Sequence, residues 1–85
     1  SFEGCVMRDA DFRSARLDSV RFHGCDLTGA WFADARIERT ELRGCTLDGI
    51  RGIAGLRGAQ LEPDAIVGLA WTMADALGIR SLEED

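Results

Sequence analysis

Residues 22–27 read FHGCDL, residues 2–7 read FEGCVM, and residues 42–47 read LRGCTL. One phrase thus returns at steps of twenty residues in a chain of 85. A fixed period of that size marks a repeat architecture, in which each unit buries its apolar face only by stacking on its neighbours. A finer period runs inside it. Residues 1–50 contain eleven Phe, Leu, Ile or Met, and ten of them stand five apart: Phe2, Met7, Phe12, Leu17, Phe22, Leu27, Phe32, Ile37, Leu42 and Leu47. Two residues before each of the later nine stands a small side chain: Cys5, Ala10, Ala15, Val20, Cys25, Ala30, Ala35, Thr40 and Cys45.

A five-residue period fits neither standard element. On an α-helix it advances about 140° per step, and on a flat strand it alternates faces. The chain must therefore turn every five residues. Four such segments make one coil of twenty, and parallel stacking separates coils by about 4.8 Å. The three phrases then occupy one corner of successive coils. Phe2, Phe22 and Leu42 stack, Cys5, Cys25 and Cys45 form a ladder, and Gly4, Gly24 and Gly44 take the tight corner. The expected core is Phe2, Cys5, Met7, Phe12, Leu17, Phe22, Cys25, Leu27, Phe32, Ile37, Leu42, Cys45 and Leu47.

Ala10-Asp11-Phe12-Arg13-Ser14, Cys25-Asp26-Leu27-Thr28-Gly29 and Ala30-Trp31-Phe32-Ala33-Asp34 follow the pattern A-(D/N)-L-x-x. This resembles the pentapeptide-repeat family over about residues 1–61. The resemblance implies an all-β solenoid, a right-handed quadrilateral β-helix. The position before the central residue is Asp only at 11 and 26, and is otherwise Val6, Arg16, Arg21, Trp31, Arg36, Glu41 or Thr46.

The register fails at Gly52 and resumes one residue early at Leu56 and Leu61, so the last turn, residues 50–58, is irregular and carries a one-residue deletion. Residues 62–79 read as a C-terminal α-helix, with Pro63 at its first turn, Asp64 at the positive end of the dipole and Gly78 to end it. An acidic tail follows over 80–85. A solenoid needs a cap over its last coil, and this helix is the candidate. Ile66, Leu69, Met73 and Leu77 are expected to seal the coil beneath Leu56 and Leu61. The apolar residues spread over roughly 240°, far more than the stripe of about 100° that covers one surface. Val67, Ala70, Trp71 and Ala74 are therefore candidate interface residues, and a homodimer through this helix is expected. The resemblance agrees with dimerisation at the C-terminal end. The competing arrangement folds the loop from Ile50 to Gly58 back over Val67 and Trp71, using Ile50 and Ile53.

The net charge of −5 arises wholly after residue 58, because residues 1–58 hold nine acids and nine Arg. All ten basic residues are Arg, with Lys, Asn and Tyr absent, which suggests a GC-rich bacterial genome. No initiator Met is present and residue 1 falls in mid-phrase, so the chain reads as the C-terminal part of a longer bacterial member. A signal peptide and a membrane span are not seen, and the expected address is the cytoplasm.

No catalytic, cofactor-binding or metal-ligating set emerges, and an enzyme is not expected. The three Cys match no zinc spacing and read as structural thiols. His23 points outward whereas Cys25 points inward, which separates a would-be base from its nucleophile. Outward Arg16 stacks on Arg36, and Asp18 on Glu38, as a solvated face. Trp31 stands outward as well, either over Arg51 in a cation–π contact or as a partner's anchor. The reading is a non-catalytic scaffold or protein–protein interaction module. The alternative, implied by the resemblance, is a DNA mimic that binds a type II topoisomerase such as gyrase, as the full-length parent. Direct nucleic-acid binding is not expected, since acids interleave the arginines.

Overall fold

Every fifth residue from 4 to 49 has a positive φ: Gly4, Asp9, Ser14, Ser19, Gly24, Gly29, Asp34, Arg39, Gly44 and Gly49, all between 46° and 72°. A left-handed residue reverses the chain direction locally, so the computed structural model, which describes residues 1–83, turns once per pentapeptide as the period requires. Between corners the backbone is extended. The strands are β1 (Phe2–Glu3), β2 (Arg16–Asp18), β3 (Arg21–His23), β4 (Arg36–Glu38), β5 (Thr40–Arg43) and β6 (Ala59–Leu61).

All pairing is parallel. β1, β3, β5 and β6 form one sheet in that order, and β2 pairs with β4. Single bridges Val6↔Asp26↔Thr46 and Asp11↔Trp31↔Arg51 form two further ladders. Pairs lie twenty residues apart throughout the repeat, as in Phe2↔Phe22 and Phe22↔Leu42. The chain is thus a β-helix-like stack of coils with four ladders. At the top the step is nineteen, Leu42↔Leu61, which is the deleted residue. A 3-10 turn over Ile53–Leu56 takes up the change. It packs so closely that a Cβ on Gly55 would overlap the carbonyl oxygen of Phe32.

The core runs up the stack axis through Phe22, Cys25, Leu27, Phe32, Ile37, Leu42, Leu47, Ile50, Leu56 and Leu69. Phe12 stacks on Phe32 at 5.0 Å and meets Phe22 edge-on at 6.1 Å. Thr40 is fully buried in a small-residue position, where its hydroxyl donates to Glu38 O at 2.8 Å, which removes the cost of burying it. The first coil departs from the expected core. Cys5, Met7, Phe12 and Leu17 are half-buried, and Phe2 is 41% exposed although stacked on Phe22 at 5.1 Å, because only one side of these residues is covered. Cys45 is half-buried for the same reason at the other end.

The expected single helix is two: α1 (Pro63–Gly68) and α2 (Ala70–Leu77). Leu69 leaves the helical path (φ −92°, ψ 2°), and its N–H donates only three residues back, to Ile66 O at 3.1 Å. It is the one residue of the segment driven fully into the core, at 6% exposure, and the preceding Gly68 makes the break inexpensive. α2 restarts with Met73 N donating to Leu69 O at 2.9 Å. The expected seal is corrected accordingly. Leu69 and Met73 pack on the last coil, Ile66 is half-exposed, and the turn at Leu69 carries Leu77 away to 76% exposure. Glu84 and Asp85, at the end of the acidic tail, lie outside the described residues.

Candidate functional site

Three surfaces bring the singled-out residues together, beginning with the ladder that holds Trp31. Trp31 N donates to Ala10 O at 2.9 Å and Phe12 N donates to Trp31 O at 2.8 Å, which aims the indole outward from the middle coil. The Arg13 guanidinium lies 3.9 Å from one ring centroid and Arg51 lies 4.5 Å away. Asp11 fixes Arg13 with two charge-assisted bonds, Nε to Oδ1 at 2.9 Å and Nη2 to Oδ2 at 2.8 Å. Arg51 donates to Gly29 O at 3.0 Å and 3.2 Å. The expected contact with Arg51 exists, and Arg13 adds a second. Two cations lie over the indole, so Trp31 makes a ladder contact. Arg13 was not singled out in the sequence, although its position eighteen residues before Trp31 places it two beyond the paired Asp11.

The same Asp also serves the turn. Arg13 N donates to Asp11 Oδ1 at 3.0 Å, and Thr28 N to Asp26 Oδ1 at 3.1 Å. Each is an Asx turn, in which the Asp side chain accepts from the backbone two residues on. The Arg13 side chain and backbone N–H hold the Asp11 carboxyl at about 2. Thr28 and then Arg8 lower Asp26, while Arg39 and then Ser19 lower Asp18.

The thiols form the second set. Cys25 donates to Phe2 O at 3.5 Å and Cys45 to Phe22 O at 3.4 Å, so each tethers its coil to the one below. All three are free, and burial pushes the Cys45 thiol up, away from a reactive thiolate. His23 Nε2 is shut off from solvent without a hydrogen bond, 3.9 Å from Glu41 Oε2. Glu41 also faces Arg21 at 3.6 Å and Arg43 at 3.4 Å. Arg16 pairs with Arg36 and Asp18 with Glu38 in register, as expected, and Arg39 spans the acids, 2.6 Å from Asp18 and 3.5 Å from Glu38. Among the described residues no group of three His, Cys, Asp or Glu is placed to hold a metal.

The third surface is the cap. Val67 is 74% and Trp71 70% exposed, with Ala70 and Leu77 exposed beside them and Ala74 half-buried. The loop from Ile50 to Gly58 does not fold back over them: Ile50 is buried in the core and Ile53 lies at the groove beneath Leu69 and Met73.

A family model described as a pentapeptide repeat region matches residues 1–51. The chain belongs to the pentapeptide-repeat family. As a pentapeptide-repeat protein it owes its outward ladders to the coil register rather than to any one motif. Comparison with curated proteins finds no match. Among its described residues no helix is long and apolar enough to cross a membrane.

Proposed function

We propose that this pentapeptide-repeat chain is a non-catalytic, protein-binding scaffold that pairs with a second copy through its C-terminal cap. The exposed Val67 and Trp71 carry the reading. Large exposed apolar side chains are costly to keep wet, and a two-fold arrangement that buries them against their own copies covers them at once. Ala70 and Ala74 are small enough to let two such helices approach closely. The repeat part then serves as a rigid, right-handed quadrilateral β-helix that holds the paired caps apart from its own outward ladders. Three free thiols suit a reducing cytoplasm.

The DNA-mimic reading, with a topoisomerase as partner, lacks such support. It needs a continuous acidic face, whereas Asp11, Asp18, Asp26, Glu38 and Glu41 each face an arginine within 4 Å. Light scattering tests the dimer. The wild type is expected at twice the monomer mass at high micromolar concentration, and Val67→Asp with Trp71→Ser at the monomer mass with its fold retained. A wild type that stays monomeric removes the dimer.

A further inference from the structure

The ladder through residues 6, 26 and 46 repeats one three-bond pattern. Between the first two coils, Asp26 N donates to Cys5 O at 2.9 Å, Met7 N to Asp26 O at 2.7 Å and Asp9 N to Thr28 O at 2.8 Å. Between the next two, Thr46 N donates to Cys25 O at 3.0 Å, Leu27 N to Thr46 O at 2.9 Å and Gly29 N to Asp48 O at 2.8 Å. The third rung is left open. Among the described residues nothing bonds Cys45 O, Leu47 N or Gly49 N, the three atoms that would continue the pattern.

The neighbouring edge is closed. Gly4 N donates to His23 O and Gly24 N to Arg43 O, both at 2.8 Å, and at the top Glu62 replaces the missing coil, its two carboxylate oxygens each 3.0 Å from Gly44 N. β6 covers β5 beside it. The rung from Cys45 to Gly49 instead borders a groove about 260 Å³ in volume, between Leu47 and Gly49 on one side and Ala65, Gly68 and Thr72 on the other. Small side chains keep it open, and a Cβ built on Gly68 would meet nothing within 4 Å.

We propose that this groove captures an extended, basic peptide segment of a partner protein, which adds as a fourth, parallel strand to the 6/26/46 ladder. One residue of the segment donates its N–H to Cys45 O and accepts from Leu47 N, and the carbonyl two residues on accepts from Gly49 N. This is strand addition at a sheet edge, where main-chain bonds give affinity and alternate side chains give selectivity. The charge of the rim sets the occupant. Asp48 lines the groove, no arginine among the described residues does, and Asp64 adjoins Ala65 in the chain. Arg51 is engaged by Gly29 O and Trp31. The tail of this chain, with Glu83, Glu84 and Asp85, has the wrong charge for that rim. A whole coil of a second copy cannot stack there, because Leu69 covers the core end. Val67 and Trp71 do not line the groove, so the site is separate from the proposed dimer face.

The probe is an acetylated, amidated hexapeptide of alternating valine and lysine, added to the ¹⁵N-labelled chain. At saturation it is expected to slow amide exchange at Leu47 and Gly49 by about tenfold or more. Gly68→Leu, which fills the groove from an open position, should weaken binding at least about tenfold with the fold retained by circular dichroism. The Val67→Asp, Trp71→Ser double variant should bind the probe as the wild type does, so failure of the dimer leaves this result intact. No protection at millimolar probe, equal binding of a probe with glutamate in place of lysine, or shifts confined to Val67 and Trp71 would each overturn the proposal. Should Gly68→Leu fail to fold, the exchange pattern of the wild type decides alone.

Discussion

Phe22 is packed against Phe2 below at 5.1 Å, Phe12 edge-on at 6.1 Å and Leu42 in register above, with 1% of its surface left exposed. Its neighbour His23 points out and makes no hydrogen bond with Nε2. Phe22→Ala is therefore expected to cost about 3–5 kcal/mol in chemical denaturation, and His23→Ala less than about 0.5 kcal/mol. Equal losses would mean that the inward and outward sets are wrongly assigned. This distinction was legible in the sequence because the five-residue period admits one inward set. The corners were legible only where glycine marks them. Asp9, Ser14, Ser19, Asp34 and Arg39 also adopt positive φ, against their local preference, and ladder bonds such as Ser14 N to Ala33 O at 2.9 Å hold them there. Such a bond is invisible until the coils stack. Exposed Ser14 makes no side-chain bond among the described residues, so Ser14→Gly should raise stability by roughly 0.5–1 kcal/mol, read from the denaturation midpoint. A loss of stability would argue against a left-handed corner.

At the level of elements, the cap was legible in type but not in shape. Pro63, Asp64 and Gly78 mark the ends of a helical segment, yet the break at Leu69 arises from its demand for the core, which no helical periodicity expresses. The role of Glu62 was hidden for a similar reason: it completes a ladder whose missing partner exists only in three dimensions. Glu62→Ala should leave Gly44 N open and cost about 1–2 kcal/mol, with faster amide exchange at Gly44 as the specific readout. Unchanged exchange there would contradict the capping role. The exposed carboxylates give a pH dependence of definite sign. Asp11 is held at about 2, and Asp18 and Asp26 are lowered too, so each contributes stability above the ordinary carboxylate range near pH 4 and loses it as pH falls toward 2. The thermal midpoint should be level from about pH 7 to 5 and then decline modestly between about 4 and 2, as expected for exposed pairs. A midpoint that rises on acidification would rule these pairings out.

On the scale of the whole molecule, residues 1–58 are charge-balanced and the acidic excess lies after residue 58. With Arg8, Arg13, Arg21, Arg39 and Arg43 engaged by acids and Arg51 by Trp31, and nine acids against nine Arg in residues 1–58, the chain is expected to show no salt-dependent retention of duplex DNA at micromolar concentration in a mobility-shift assay. Retention that weakens with salt would contradict that balance. What the sequence misplaced was Ile66 and Leu77, expected in the seal and found exposed, because the break at Leu69 ends the single helical projection on which the seal was read. The resulting exposure of Val67 and Trp71 underlies the proposal that the cap pairs with itself. An isotope-filtered NOE experiment on a mixture of labelled and unlabelled chains addresses it directly. Intermolecular contacts from Trp71 and Val67 to the same residues of a second copy are expected. Intermolecular contacts confined to the outward ladders of the coils, or none at high micromolar concentration, would contradict it.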